Sequence, residues 1–445
     1  MKSNQKLKQL AVAVSLSLIS ASAFATNGYF PHGIGVKAKG MGGASVAMTQ
    51  DAFAGANNPA AAAFVGNRWD LGVDFFMPDR SASRSSAAAG GSIGSVKSAE
   101  RTFPIPEFGY NVALSDKLGV GVAVYGNGGM NTTYRGTGFG CLNIRVNPPT
   151  QYPGNALCGT GNLGVDLMQL TIAPTVGYKV SETTSIGASP LFVHQRFEAI
   201  GVEAFSMVTP TGSTSKMTDQ GFSSSSGIGV RLGVLSKVSP TASIGASYSP
   251  KINMSKFRSY SALFAEGGDF DIPSNWAVGA ALDVAPSVKI ALDYAGINYK
   301  DVKSVSNPSS NSLVAFAMTG TGNLGEESGS GFGWKNINVI KVGIQWQFSD
   351  KTTLRAGYNK GDNPIKSDDV TFNILAPGVM EDHYTLGGTY KLSNTTEWSW
   401  FGMYAPKVSV SGPSSFNNFT NPPGDAVDTI EMKQYSFGLQ YSKQF

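Results

Sequence analysis

Reactive side chains are scarce in this chain of 445 residues, and their spacing narrows what they could do. The three histidines, His32, His194 and His383, are the readiest proton acceptors near neutral pH. Hydrolysis or acyl transfer needs a nucleophile held against such a base, with a third group orienting the base. No serine or aspartate is tied to any of the three by its place in the sequence, so an enzyme such as a membrane phospholipase or protease is the weaker reading. Gly33-x-Gly35 has the outline of a nucleotide loop but lacks the strand–turn–helix context that would make it one. The two cysteines, Cys141 and Cys158, have sixteen residues between them. That spacing suits neither a redox CxxC nor a metal knuckle. In an exported chain their natural state is one disulfide, and closing a loop of this size stabilises by about 3 kcal/mol in a chain-entropy treatment. No metal and no cofactor is expected.

The first residues read as an export signal. Lys2, Lys6 and Lys8 form a positive start, Leu10 to Ile19 is apolar apart from two serines, and Ala23-Phe24-Ala25 supplies a small-x-small cleavage site. Residues 1–25 are expected to be removed, and no cysteine follows the cut to carry a lipid. The formal charge of +4 includes those three lysines and no acid among them, so the remainder carries +1. A near-neutral chain gives no electrostatic case for nucleic acid. Glycine occurs 54 times and charged residues make up only 14%. No exported stretch approaches the roughly 20 apolar residues of a membrane helix. A soluble chain of this length would usually divide into domains, yet no linker or shift in composition marks a boundary.

The elements that must position any site are strands. Leu118, Val120, Val122 and Val124 alternate with Gly119, Gly121 and Ala123. Val342, Ile344, Trp346 and Phe348 alternate with Lys341, Gly343, Gln345 and Gln347. Each such run has one greasy face and one small or polar face. In a membrane barrel the first meets lipid and the second lines the interior. Short polar links join successive runs at 112–118, 178–186, 234–244, 284–288, 348–354 and 392–398, and read as hairpin turns. Between them lie long Gly-, Ser-, Asn- and Pro-rich segments such as 127–163, 197–226 and 299–335. Short turns at one rim and long loops at the other predict an all-β fold, a transmembrane antiparallel β-barrel. Six hairpins, a first strand near 68–77 and a last near 430–445 give about fourteen strands. The last run alternates Tyr435, Phe437, Leu439 and Tyr441 and ends at Phe445, a pattern similar to the signal read by the barrel assembly machinery.

Residues 26–67 do not alternate. They are rich in Gly and Ala and end in Asn57-Asn58-Pro59-Ala60. A fourteen-stranded barrel is too wide for its own side chains to fill, so this segment is expected to fold as a plug in the lumen, ahead of a barrel at 68–445. Gly40-Met-Gly-Gly-Ala, Gln50-Asp51-Ala52 and Asn58-Pro59-Ala60, placed just before the first strand, resemble the N-terminal hatch of the FadL/TodX family of outer-membrane transporters. That resemblance implies passive uptake of long-chain fatty acids or other hydrophobic compounds, with aromatic or alkane hydrocarbons as the alternative cargo. It also implies a third strand bent inward to open the wall beside the hatch. Here the third strand runs into Gly126-Asn127-Gly128-Gly129, which either bends the strand or ends it.

Cargo capture calls for apolar loop residues. Phe205, Met207 and Val208 in the third long loop, Leu263 and Phe264 in the fourth, and Phe316 in a later one are candidates, unless they serve to pack the loops together. A carboxylate head group would seek a cation lining the lumen. By parity Arg231, Lys341 and Arg355 point inward, where they meet such a head or balance plug acids such as Asp51. The expected partners are a hydrophobic small molecule, outer-membrane lipid and lipopolysaccharide, with the barrel a monomer in the Gram-negative outer membrane.

Overall fold

The computed structural model describes residues 27–85, 94–143, 150–312, 322–419 and 424–445; the expected export signal and Phe316 lie outside them. Fourteen antiparallel strands form the wall: β1 (Arg68–Arg84), β2 (Phe103–Ala113), β3 (Leu118–Tyr134), β4 (Leu163–Lys179), β5 (Thr184–Ile200), β6 (Ser223–Ser239), β7 (Ala242–Ser249), β8 (Asn275–Ala285), β9 (Val288–Ile297), β10 (Ile337–Gln347), β11 (Thr352–Gly361), β12 (Asp382–Lys391), β13 (Thr396–Pro413) and β14 (Val427–Gln444). Each pairs with its chain neighbour, and β14 returns to β1 with Arg68 opposite Gln444 and Arg84 opposite Asp428. The sheet therefore closes, as it must where no water is present to satisfy a free strand edge.

Parity decides what each side chain meets. Outward residues such as Ile228 and Leu386 are 70% and 61% exposed, whereas inward residues such as Asp74 and Asn359 are buried. The short turns all fall at one rim. Several strands run further toward the long-loop rim than alternation indicates: β1 continues through Pro78–Arg84, and β3 continues to Tyr134 rather than giving way to loop at residue 127. Beyond the lipid no apolar outward face is required, so the pattern fades while the ladder persists. At that rim a short strand, Gly94–Lys97, pairs with the end of β1, and a ribbon of Phe139–Asn143 with Thr150–Gly154 stands in the second long loop. The Cys141–Cys158 disulfide braces this loop, its Cα atoms 5.5 Å apart.

Residues 27–66 fill the lumen with single-turn helices at Val36–Lys39, Ala54–Asn57 and Ala62–Val65 and a 3-10 turn at Pro59–Ala61. The Asn-Pro-Ala motif has a mechanical role. Asn58 Oδ1 accepts from Ala60 N and caps the 3-10 turn, with Pro59 at the first position, where a missing N–H costs nothing. Its Nδ2 donates to Val46 O within the hatch and to Val234 O of β6 in the wall. Ser185 of β5 adds a bond to Ala60 O. Glycines on the inner wall allow this approach: a Cβ on Gly233 would stand 2.0 Å from Asn58 Oδ1 and 2.9 Å from Pro59 Cδ. Gly233→Val is therefore expected to overpack this contact at a cost of about 1–3 kcal/mol and to displace the hatch. In planar bilayers the variant should conduct more than wild type, and an unchanged conductance would mean that the hatch yields without leaving the wall.

Candidate functional site

The wall departs from regular pairing at one place with consequences for the interior. The β2–β3 ladder runs from Ala113–Gly119 to Phe108–Val124 and stops. On β2, Pro104 and Pro106 carry no N–H; alternate residues direct that group to the same neighbour, so both missing donors lie on one edge. On β3 the register with β4 shifts between Gly126 and Gly128, leaving Asn127 as an extra residue. This is a β-bulge, which bends the strand that carries it. From Ala123 to Thr132 every residue is buried on both parities, so this stretch no longer presents a face to lipid. The glycine run thus bends the strand without ending it.

The free edge of β3 is satisfied by groups from elsewhere. Gly129 N donates to Tyr29 O of the hatch at 3.2 Å. Arg80 of β1 donates to Asn131 O, Ser98 Oγ accepts from Thr133 N, and Ala99 N donates to Thr133 O. A Cβ on Gly128 would lie 2.7 Å from Tyr29 O, so the close approach of hatch and bulge requires glycine there. Tyr29 in turn joins an aromatic group from two long loops: Tyr299 at 5.3 Å and Trp334 at 6.0 Å from the β9–β10 loop, and Phe270 at 6.0 Å from the β7–β8 loop, between ring centres. Tyr299 fixes the arrangement, its hydroxyl donating to Asn27 O and accepting from Tyr29 N.

Beside this contact, a cavity of about 100 Å³ lies between hatch and wall. Asn27, Phe30, Ile34 and Asn57 line it from the hatch, and Asn127 of β3, Arg231 of β6, Trp276 of β8 and Lys341 of β10 from the wall. Two of the three expected luminal cations therefore meet at one place, next to the bulge. Their partners are neutral oxygens: Arg231 donates to Ser249 Oγ, Asn275 Oδ1 and Ala56 O, and Lys341 to His32 O at 3.0 Å. Asp293, opposite Lys341 in the β9–β10 ladder, accepts instead from Ser45 N and Val46 N of the hatch. Arg355 is elsewhere, donating to Gln345 and Thr389.

Asp51 holds the hatch rather than a cation. It accepts from Phe53 N and from Gln440 of β14, and burial with the nearby Asp70 carboxylate raises its pKa, against the pull of Lys37 and Arg68. Two ion clusters anchor the same side. Lys37 reaches Glu397 at 2.5 Å, which also meets Arg68 at 3.0 Å. Lys39 reaches Asp74 at 3.0 Å and Glu107 at 3.2 Å with all three side chains buried. Burial alone would depress the Lys39 pKa, but the two carboxylates outweigh it and hold the ammonium above its ordinary value. Sequence reasoning did not single out Tyr29, Lys39, Asp74 or Glu107; Asp74 and Glu107 carried a signal, an acid on the inward parity of an otherwise apolar strand.

The loop candidates form a core. Phe205 packs on Phe372 at 4.8 Å and on Phe416 at 6.0 Å, and Phe264 packs on Phe197 at 4.6 Å and on Phe270 at 5.0 Å. Val208 is buried, and Met207 and Leu263 are half-buried against the same cluster. Phe205 thus ties the third long loop to the β11–β12 and β13–β14 loops, and Phe264 holds the fourth against the end of β5. Among the histidines, His194 pairs with Ser226 at 3.1 Å on the lipid-facing parity, while His32 and His383 stack inside with their centres 6.1 Å apart. Neither arrangement provides an oriented nucleophile.

Residues 12–445 match the family described as outer membrane protein transport protein (OMPP1/FadL/TodX). Among solved structures, the toluene transporter TodX of Pseudomonas putida superposes with a TM-score of 0.63 at 17% identity, covering 93% of this chain and 99% of that one. The toluene transporter TbuX of Ralstonia pickettii gives 0.62 at 16%, covering 93% and 99%. A FadL homologue of Pseudomonas aeruginosa gives 0.64 at 14%, covering 94% and 100%. A search of curated protein sequences finds no match. At these identities the structural likeness establishes the fold.

The Lys39 cluster offers a direct test of what holds the hatch. Lys39→Met leaves two carboxylates buried without their cation, which costs about 3–5 kcal/mol. The expected result is a lower unfolding temperature together with raised ion conductance. Lower stability with wild-type conductance would place the role of the cluster in the wall alone.

Proposed function

Since this chain belongs to the outer membrane protein transport protein family (OMPP1/FadL/TodX), whose members are Gram-negative outer-membrane β-barrel transporters of hydrophobic compounds and not enzymes, we propose that it takes up long-chain fatty acids or related lipophilic molecules passively and releases them sideways at β3. One observation carries the reading: the β2–β3 ladder ends at Phe108–Val124, and the hatch stands behind the unpaired stretch. A greasy solute is poorly served by a water-filled pore, since apolar surface gains by staying out of water. A route from the apolar loop cluster, past Tyr29, to a break in the wall keeps it away from the periplasmic end that the hatch blocks. The loop residues Phe205, Met207, Val208, Leu263 and Phe264 act in this reading as the first apolar surface met from outside, after the loops part. Lipopolysaccharide and outer-membrane lipid surround the wall, and the barrel works as a monomer.

Arg231 and Lys341 favour a carboxylate cargo. Both line one cavity beside the bulge and neither has its charge matched by a direct carboxylate contact. A bare hydrocarbon, the cargo printed for the toluene transporters, would gain nothing from them.

Two outcomes are expected. Deleting Asn127 removes the extra residue of the bulge and should cut uptake of labelled oleate several-fold without raising ion conductance; unchanged uptake would remove β3 from the route. Replacing Arg231 and Lys341 with Gln and Met should slow oleate uptake while sparing toluene, and equal loss of both would show that the cations act only on the fold.

A further inference from the structure

The outward face of β13, β14 and β1 changes character at one level. Below it Phe75, Phe437 and Trp400 project into lipid. Tyr404 and Tyr435, opposite each other with ring centres 5.3 Å apart, close this apolar belt, as aromatic side chains do where hydrocarbon gives way to headgroups. The strands continue past it. From Tyr435, β14 runs on to Val427, about 25 Å further along its length at roughly 3.4 Å per residue, and so enters the headgroup layer. The next row outward is Asp79 on β1 and Lys433 on β14, with Lys407 beside them. Lys407 comes from a shift in register between Ala405 and Val408, a bulge that re-aims the side chain. The row beyond reads Lys97 on the short strand Gly94–Lys97, then Ser81, Glu431 and Ser409. Lys433 reaches Asp79 at 3.5 Å and Lys407 reaches Glu431 at 2.8 Å, while Lys97 has no carboxylate within ion-pair distance among the described residues. Three lysines thus face two carboxylates, an excess of one positive charge. At the same rim Lys360 is met by both Glu381 and Asp382, an excess of the opposite sign.

Whatever rests on this band also rests on the apolar belt directly beneath it, so its lower part is greasy and its upper part anionic. We infer that this face binds a phosphorylated glycolipid of the outer leaflet, with its phosphates on Lys97, Lys407 and Lys433 and its acyl chains along Phe75 and Phe437. Ammonium groups donate charge-assisted hydrogen bonds to phosphate oxygens, and each lysine at an anionic membrane surface adds to the attraction. The lysines of the two ion pairs are 58% and 39% exposed. Exposed pairs of this kind hold weakly, so a phosphate displaces the carboxylates readily. Hydroxyls in the same band, Ser81 and the Ser411–Thr429 pair at 2.8 Å, match the sugar. The surface lies outside the barrel, goes beyond the transport reading and stands without it.

The test uses the full-length barrel purified in detergent and titrated with lipid A, an acylated and phosphorylated glucosamine disaccharide, with bound lipid counted by native mass spectrometry. The triple variant Lys97→Gln, Lys407→Gln, Lys433→Gln is expected to bind about tenfold more weakly than wild type. Wild type should lose a similar factor when lipid A is replaced by its dephosphorylated form, and Lys360→Gln should bind as wild type does. These lysines lie on the surface, and assembly is checked by heat-modifiable migration of the barrel. If the triple variant does not assemble, Lys97→Gln and Lys433→Gln singly decide by the same comparison. Equal affinity of wild type and variant, or of the two lipid forms, overturns the inference, as does an equal loss in Lys360→Gln. Inorganic phosphate separates a lipid from a free anion: at millimolar concentration it should leave lipid A bound, and displacement overturns the assignment to a lipid.

Discussion

In hydrocarbon each unpaired backbone N–H or C=O costs several kcal/mol, because no water is there to replace the missing partner. That single constraint forces the sheet to close, with β14 on β1, and sets the terms on which the wall can be interrupted. An interruption is tolerated only where the freed groups are met by protein. The free edge of β3 meets this condition through Tyr29 of the hatch, Arg80 of β1 and Ser98 before β2. The break and the hatch are therefore one device: without residues 27–30 in the lumen, the edge of β3 would be exposed to whatever filled the space.

The same constraint explains why the lumen is polar and crowded. Fourteen strands enclose more volume than their inward side chains fill, and the hatch fills it by bringing its own backbone against the wall. Glycine on the strands and alanine on the hatch make that approach possible, as at Gly233 and Asn58. Charges brought into this interior are largely met by opposite charges, Lys39 by Asp74 and Glu107, and Lys37 by Glu397. Arg231 and Lys341, at the cavity beside the bulge, have neutral oxygens as their contacts. The contrast separates side chains whose charge is matched by a carboxylate from two whose charge is met by neutral oxygens, the hatch backbone among them.

Above the lumen, side chains from separate loops join one apolar cluster, with Phe205 against Phe372 and Phe264 against Phe197 at the end of β5. Burying these rings orders long segments that contain little regular structure, and the Cys141–Cys158 bridge orders another. The cap is thus held by apolar packing, hydrogen bonds among the loops and one covalent link, and the hatch joins the same apolar cluster through Tyr29, Phe30 and Phe53 besides its hydrogen bonds and ion pairs.

The sequence by itself determined the wall. Period-two alternation in runs such as Val342 to Phe348, broken by short turns, has few other physical solutions, so strand number, turn side and closure were all legible. The glycine run at 126–129 and the Asn58-Pro59-Ala60 motif were legible as departures from that pattern, though not as a bulge and a cap with two anchors. Parity placed Arg231, Lys341 and Arg355 inside. Only the tertiary structure decided that the first two share a cavity and the third does not, because that depends on where the hatch lies against strands more than a hundred residues away. It also decided that the loop aromatics are buried in one apolar cluster, and that the hatch backbone at Tyr29 meets the free edge of β3. Alternation reports which face of a strand a side chain occupies; it carries no information about what stands opposite that face, and the function depends on that.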